Sequence, residues 1–562
     1  MSAPLPTTRL QVMWNRLLAV VEEQAQALMR AAFSPIVREC GDISAGIFDP
    51  NGAMLAQAVT GTPGHINTMA EAVRALCARF PAETMRPGDI FTTNDPWLAS
   101  GHLNDFLLMM PAFRSGRLVG FAACTSHLVD LGGTGMGPEG GDIYDEGLLI
   151  PPCRIVEGGR LNTLLIDIVK ANSREPVANE GDLYALIACC ETGAARLVAM
   201  MDEFGLDDLA PLARHILETS RAGQAAAIRA VPPGTYRNAL TVDGYEQPLT
   251  LHAALTVEDG RMSLDFSGSP GPSPKGINVP LNYATAYSVF ALRCIVGPEI
   301  PNNAGSLGCF SVTAPPGCIL NAQPPAAVAM RHTLGQMTPD LVLGCLAQAL
   351  PDRVPAEGAS AMWDLPLRSA PEVARGGREA FAVELSHNGG TGARPGRDGL
   401  SATAFPSGVW GSQVEISESV APIHILRREL RPDSGGAGRR RGGLGQRIEV
   451  TPAGQDAFNV FLSVERIDHP AAGRAGGRPG APGRIRVDDG PSLPGKGALR
   501  IGPGETLVFE TPGGGGFGEP RLRAAEAVAQ DVANGLVTPE AARNDYGGDP
   551  ASGVPKRAEK KA

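Results

Sequence analysis

The ten cysteines include no Cys-x-x-Cys pair and form no compact framework. Buried free thiols in a reducing compartment account for them best. Cys189 and Cys190 are adjacent on a helical pattern, and Cys124, Cys294 and Cys345 lie in apolar runs. Positive charge is also short. Lys and Arg number 49 against 59 Asp and Glu, a net charge of -10, which argues against a nucleic-acid footprint or an anionic membrane surface. The opening residues MSAPLPTTRL have neither the basic nor the apolar region of a secretion signal, and no uninterrupted apolar run is long enough to cross a bilayer. These absences predict a cytoplasmic protein with no membrane and no nucleic-acid partner. G-x-x-x-x-G-K-[ST], G-x-S-x-G and H-E-x-x-H are missing as well. A Walker-type ATP site and the commonest hydrolase arrangements are thereby removed.

Glycine (70) and proline (48) are abundant, but they are spread among apolar runs and read as turn chemistry in a loop-rich fold. A chain of 562 residues is long enough for three or four lobes. Apolar residues from Leu10 to Leu28 recur at helical spacing and predict a helix over Pro6–Ala32. Alternating Ile43, Ala45 and Ile47 before Asp49-Pro50-Asn51-Gly52 predict a strand, a tight turn and a returning strand. A second helix is expected over Met69–Phe80, after a polar loop around His65, and a short strand over Asp89–Thr93. Long helical patterns at Asp182–Glu203 and Ala210–Ile228 end at Val231-Pro232-Pro233-Gly234, a strong break. Short strands at Tyr236–Asp243, Leu249–Glu258 and Met262–Gly268 follow, with helices at Asn282–Val296 and Thr338–Leu350. The expected fold is α+β. A mixed α/β lobe over 1–231 has long helices and carries the metal site, a β-rich lobe over 232–518 has inserted helices, and a C-terminal helix with a frayed tail, PKRAEKKA, closes 519–562.

The chemistry concentrates in one stretch, NDPWLASGHLNDFLLMMPAFRSGRLVGFAACTSHLVD, from Asn94 to Asp130. His102 and Asp105 form an H-x-x-D pair, and His127 and Asp130 repeat that spacing after an apolar, hairpin-like unit. Imidazole nitrogen with carboxylate oxygen suits a divalent ion such as Zn, Mn or Fe. At a strand end such a pair can aim both donors at one point, whereas within a regular strand the two would face opposite sides. The glycine-dense loop after Asp130 serves either close backbone approach to a ligand or tight turns.

Two further motifs invite other readings. Gly513, Gly515 and Gly518 satisfy G-x-G-x-x-G between a strand and a helix, but no later strand pattern follows to complete a βαβ unit. Arg439-Arg440-Arg441 between glycines is either a phosphate clamp or an exposed basic loop.

In the segments RECGDISAGIFDPNG, PGDIFTTNDPWLASGHLND, SHLVDLGG, DEGLLIPP and Asn172-Ser173-Arg174-Glu175-Pro176, and later in ELRPDSGGAGRRRGGLG and TPGGGGFGEP, the chain resembles the hydantoinase B/oxoprolinase family nearly end to end. The resemblance implies a B-type subunit that pairs with a separate A-type ATPase subunit in a hetero-oligomer. That partner uses ATP to phosphorylate a carbonyl or enol oxygen of a small-molecule substrate. The B-type subunit then completes the reaction at a divalent metal, Zn, Mn or Fe, with Mg as a further candidate. The implied ligands are His102, Asp105 and His127, with Asp95 and Asp130 as fourth-ligand or outer candidates. A metal-bound water would open a cyclic imide or lactam, with Asp130 or Glu39 as general base. The loop carrying Glu39 and Asp42 would reach the site. His65 would orient substrate or serve as a hydrogen-bonded structural histidine. The alternative chemistry is a ketone carboxylase of the acetone or acetophenone type, and a third reading is a non-catalytic scaffold for the A-type subunit. The family shares the glycine run at Gly513–Gly518, which favours a structural turn there.

Overall fold

The helical spacing near the N-terminus closes into a helix over Thr7–Ala31, which buries Met13, Trp14, Leu17, Val21, Ala25 and Leu28 on one side. The structure, a computed structural model, describes residues 6–59, 61–376 and 380–547. Beside this helix runs Pro176–Phe204, and the two cover one face of an antiparallel sheet. The strands are β1 (Ile43–Phe48), β2 (Met54–Gln57), β3 (Ile90–Thr93), β4 (Asp105–Arg114), β5 (Arg117–His127), β6 (Cys153–Glu157) and β7 (Arg160–Leu161), in the order β2-β1-β5-β4-β3-β6-β7. Every neighbouring pair is antiparallel.

Both faces of this sheet are covered, so β4 and β5 read as nearly continuous apolar runs. Parity still decides where each side chain goes. Phe106, Leu108, Ala122 and Cys124 enter the core beneath the two long helices. Leu107, Met109, Phe121 and Ala123 enter the opposite core, beneath a helix over Pro63–Arg79. Each fully buried Phe or Leu contributes about 1.5–3 kcal/mol relative to exposure. Asp105 and His127 have the parity of the second set, so they point to the side where Pro63–Arg79 lies.

That helix begins earlier than the expected Met69. Thr62 caps it, accepting from the His65 backbone N–H at 3.3 Å, and Pro63 occupies the first turn. A Thr-Pro start is a helix entry signal, and it puts His65 in the first helical turn instead of a loop. Among the described residues, Pro176–Phe204 is the one helix long and apolar enough to cross a bilayer by length and composition. It buries Asn179 and Asp182 inside the protein and packs on β4 and β5, which is how a core helix behaves. Cys124 and Cys190 meet beneath it with sulfurs 3.5 Å apart, and all ten cysteines are free thiols.

Beyond Gly234 the expected β-rich span holds two hydrophobic cores. One joins the strands Gly234–Val242, Leu249–Glu258, Arg261–Asp265 and Phe310–Thr313 to the helices Leu281–Ile295 and Thr338–Ala349. The other is enclosed by two four-stranded sheets, which share Leu365, Val460, Ile448 and Phe509. The chain then forms a helix over Ala525–Ala533 and a further one over Pro539–Tyr546. The PKRAEKKA run lies outside the described residues.

The G-x-G-x-x-G run is part of a bundle of extended glycine-rich segments. Gly443 donates to the Thr391 carbonyl at 2.9 Å, and Gly514 to the Gly443 carbonyl at 3.0 Å. A Cβ at Gly514 would lie 2.0 Å from the Thr391 oxygen. Backbone packed that closely leaves no room for a dinucleotide, so the motif is structural. Arg441 of the basic run is buried and bonded to Asp531 at 3.3 Å, not displayed as a phosphate clamp.

Candidate metal centre

His102 lies in the turn that leads into β4, Asp105 is the first residue of β4, and His127 is the last of β5. Asp105 and His127 are direct cross-strand partners, a relationship that puts Cβ atoms about 4.5–5.5 Å apart. The turn lets His102 fold back on the same side. One ligand atom from each of the three lies within 4.8 Å of the others, and all three residues are buried. Asp105 Oδ1 is the hub, 2.8 Å from His102 Nε2 and 3.2 Å from His127 Nδ1.

The outer atoms of the triad are already satisfied. His102 Nδ1 is 3.1 Å from the Ala329 carbonyl oxygen. A carbonyl only accepts, so Nδ1 carries the hydrogen there and Nε2 presents a lone pair to Asp105. Burial, then Arg331, push the His102 imidazolium down to about 3, so the ring is neutral. Burial opposes ionisation of Asp105, but the charged groups around it, Arg331 among them, outweigh it and hold the carboxyl well below the usual carboxylate range. A lone pair and an anionic oxygen 2.8 Å apart repel unless a cation lies between them. His127 Nε2 is 3.0 Å from Glu384 Oε1, the carboxylate–histidine arrangement that orients metal-binding imidazoles. Asp105 Oδ2 accepts from Arg331 at 2.6 Å and is 2.9 Å from His65 Nε2. That leaves Oδ1 facing the two imidazoles. The residues present fit a divalent ion held by two nitrogens and one oxygen, with a side left open.

The open side is a small cavity of about 20 Å³, lined by Asp42, His65, Tyr283, His332, Asp364 and Glu384 among others. One water needs roughly 10–15 Å³. Asp42 Oδ1 is 3.4 Å from His65 Nδ1, and Asp42 Oδ2 is 4.0 Å from His127 Nδ1. Burial pulls the His65 imidazolium down, but Asp105 and Asp42 more than offset this and raise it.

The second H-x-x-D pair does not converge. Asp130 lies past the end of β5 and accepts from the Arg174 backbone N–H at 2.5 Å and its guanidinium at 2.6 Å. Asp95 accepts from the Trp97 backbone N–H at 2.9 Å, as a turn cap. Glu39 pairs with Arg38 at 2.9 Å and meets Gln413 at 3.4 Å. None of these three carboxylates lines the cavity, whereas Asp42, from the same loop as Glu39, does. The groups that sequence reasoning missed, Arg331, His332, Asp364 and Glu384, come from more than two hundred residues further along the chain. Arg331-His332 before an apolar helix was the one visible signal, and nothing in its spacing ties it to His102.

The family description Hydantoinase B/oxoprolinase matches residues 7–520. The beta chain of caprolactamase from Pseudomonas jessenii is 30% identical over 562 residues, covering 96% of this chain and 95% of that one. The B component of a putative D-/L-hydantoinase from a Pseudomonas species is 29% identical over 571 residues, covering 96% and 94%. The crystal structure of ATP-dependent caprolactamase from Pseudomonas jessenii superposes with a TM-score of 0.89 at 28% identity, covering 99% of this chain and 98% of that chain. A nucleotide-free acetone carboxylase structure shares the fold at 22% identity and a TM-score of 0.83, covering 96% and 79%. This α+β chain, with its His-Asp-His cluster at the end of a covered hairpin, belongs to the hydantoinase B/oxoprolinase family.

Proposed function

We propose that this chain is the metal-bearing B-type subunit of an ATP-dependent amidohydrolase, which opens a cyclic amide after an A-type partner subunit has phosphorylated its carbonyl oxygen. The observation that carries the reading is the triad itself. His102 Nε2, Asp105 Oδ1 and His127 Nδ1 converge, and each ligand's other polar atom is held from behind. The full-length similarity to a caprolactamase subunit and to a hydantoinase subunit supports cyclic amides as the substrate class. The acetone carboxylase likeness carries the fold alone, so ketone carboxylation has no observation of its own here.

An unactivated lactam resists water because its amide is resonance-stabilised, and a phosphorylated carbonyl oxygen removes that protection. When bound, a divalent ion supplies Lewis acidity toward a carbonyl oxygen or a water. Arg331 and His65 hold Asp105 so that a single carboxylate oxygen faces the imidazoles. Glu384 and the Ala329 carbonyl fix the two imidazoles. Asp42 is the carboxylate placed to accept a proton from water, in the role first assigned to Asp130 or Glu39. The rings of Tyr283 and Tyr287, with Met362 and Val409, restrict water in the cavity.

The test is co-expression with an A-type subunit and an assay of ATP-dependent ring opening for hydantoins and lactams, with and without bicarbonate. Bicarbonate-independent opening that His102→Ala abolishes is the expected result. Bicarbonate-dependent consumption of a ketone would replace hydrolysis with carboxylation. Unchanged activity in His102→Ala would leave a scaffold.

A further inference from the structure

Away from the triad lies a second cavity, of about 450 Å³, which among the described residues shares no lining residue with the metal centre. Sites that hold small molecules run from roughly 300 to 1,000 Å³ and pair an apolar wall with a few polar groups. Here the wall is mostly apolar. Ile295 ends the helix Leu281–Ile295, and Leu343 comes from the neighbouring helix Thr338–Ala349. Pro355, Ala356 and Phe405 add to it from the segments between elements. Water against such a wall finds few hydrogen-bond partners, so an apolar group that displaces it is favoured.

Two arginines, Arg353 and Arg394, complete the wall. The Ala356 backbone N–H donates to the Ala393 carbonyl at 2.9 Å, which sets the segment carrying Arg353 beside the one carrying Arg394. Arg353 is exposed and Arg394 half-buried. Each guanidinium spends an N–H on a backbone carbonyl, Arg353 on that of Ile295 and Arg394 on that of Asp398, the latter at 3.2 Å. Neither has a carboxylate partner among the described residues. A guanidinium carries five N–H donors, so both keep donors for an anion, and a carboxylate can take two of them side by side. Among the described residues Asp340 is the one acid in the wall, and its charge is already matched. Its Oδ2 accepts from Arg466 at 2.7 Å, from the Gly358 backbone N–H at 3.1 Å and from the Ser360 hydroxyl. The unmatched charge around the cavity is therefore positive.

We propose that this cavity is a second ligand site, which binds a small carboxylic acid with an apolar body. The carboxylate meets Arg353 and Arg394, and the body lies against Ile295, Leu343 and Phe405. Neither half suffices alone. A bare anion gains only a pairing at a wet edge, where solvent screens it, and a neutral body leaves the two guanidiniums unmatched. The assignment stands apart from the cyclic-amide reading, because the two cavities have separate walls.

The experiment uses the full chain, alone and in complex with its A-type partner. Hexanoate is the probe, titrated calorimetrically at fixed ionic strength, with acetate, 1-hexanol and hexylammonium as comparisons. Cys294 lines the cavity and is the one exposed cysteine of the ten, so its protection from N-ethylmaleimide reports where the probe binds. Hexanoate should bind with a Kd below about 1 mM and slow the labelling of Cys294. Each comparison should bind at least about 10-fold more weakly. Arg353→Gln and Arg394→Gln should each weaken hexanoate by roughly 10-fold, the loss expected for a charge-assisted hydrogen bond, and leave 1-hexanol unchanged. Ala404→Phe fills the space from a half-buried position and should abolish both binding and protection. Hexanoate that binds no better than 1-hexanol, or arginine variants at wild-type affinity, overturns the carboxylate assignment. Hexanoate that neither binds nor protects Cys294 overturns the site. Protection by the A-type subunit with no hexanoate present gives the cavity to a partner segment and overturns it equally. None of these outcomes bears on ring opening, which its own assay decides.

Discussion

Asp105 and His127 face one another across β4 and β5, with Asp105 Oδ1 3.2 Å from His127 Nδ1. Hairpin register therefore supplies two of the three ligands of the candidate metal centre. A slip of one residue would move either side chain to the other face of the sheet, beneath the long helices. The remaining ligand, His102, comes from the turn just before β4, where the chain is free of the strand's alternation.

Glu384 reaches His127 from the C-terminal half, and a carboxylate behind a metal-binding histidine orients it and raises its basicity. Glu384→Gln is expected to weaken divalent-ion affinity by about 10–100-fold. Competition with a chromogenic chelator measures this directly. An unchanged affinity would remove Glu384 from the site.

Asp130 bonds to the Arg174 backbone N–H and guanidinium, and we propose that its role is structural. Asp130→Ala should lower stability by about 1–3 kcal/mol, the cost of leaving charged hydrogen-bond partners unmatched. Metal content should stay at the wild-type level. Denaturant unfolding and elemental analysis of the same preparation separate the two effects, and loss of metal with stability intact would return Asp130 to the site.

Much of this was legible in local sequence. The helix over Thr7–Ala31, the β1–β2 turn and the β4–β5 hairpin follow from periodicity and turn residues, and His102, Asp105 and His127 share one short stretch. The divergence of Asp130 from the triad has a physical cause. Equal H-x-x-D spacing means equal geometry only when the backbone is the same, and His102 enters a strand while His127 leaves one. Long-range partners were invisible for another reason. Glu384 is 257 positions from His127 and Arg331 is 226 from Asp105, and no spacing rule connects such residues before the fold is known. The glycine run reads two ways in sequence, because close backbone packing and phosphate binding call for the same residue.

Gly514→Ala tests the packing of that run. The new Cβ would fall 2.0 Å from the Thr391 carbonyl oxygen, a backbone atom that cannot turn aside. The expected cost exceeds about 4 kcal/mol, the level that marks a serious steric fault. Thermal unfolding or loss of soluble protein reports it. A wild-type melting temperature would show that the bundle is loose.

Glu146 gives the fold a pH dependence away from the triad. Burial pushes its carboxyl up to about 8 from an ordinary 4.5, although the Ala329 and Val328 backbone N–H groups, both at 2.7 Å, pull the other way. A folded-state value above the unfolded one favours the protonated form. Its stabilisation is complete below about pH 4.5 and is lost as pH rises toward 8. Glu146→Gln keeps an acceptor oxygen and cannot ionise. The variant should match wild type in melting temperature near about pH 5 and exceed it near about pH 8.5. A difference that does not change with pH would contradict the assignment.

Two imidazoles and one carboxylate are proposed to hold a single divalent ion. Anomalous diffraction at the absorption edges of Zn, Mn and Fe, on crystals of metal-loaded protein, tests it most directly. One peak per chain is expected within bonding distance of His102 Nε2, His127 Nδ1 and Asp105 Oδ1, absent in Asp105→Ala. A peak elsewhere, or no peak from protein whose His102, Asp105 and His127 keep the geometry described, would contradict it.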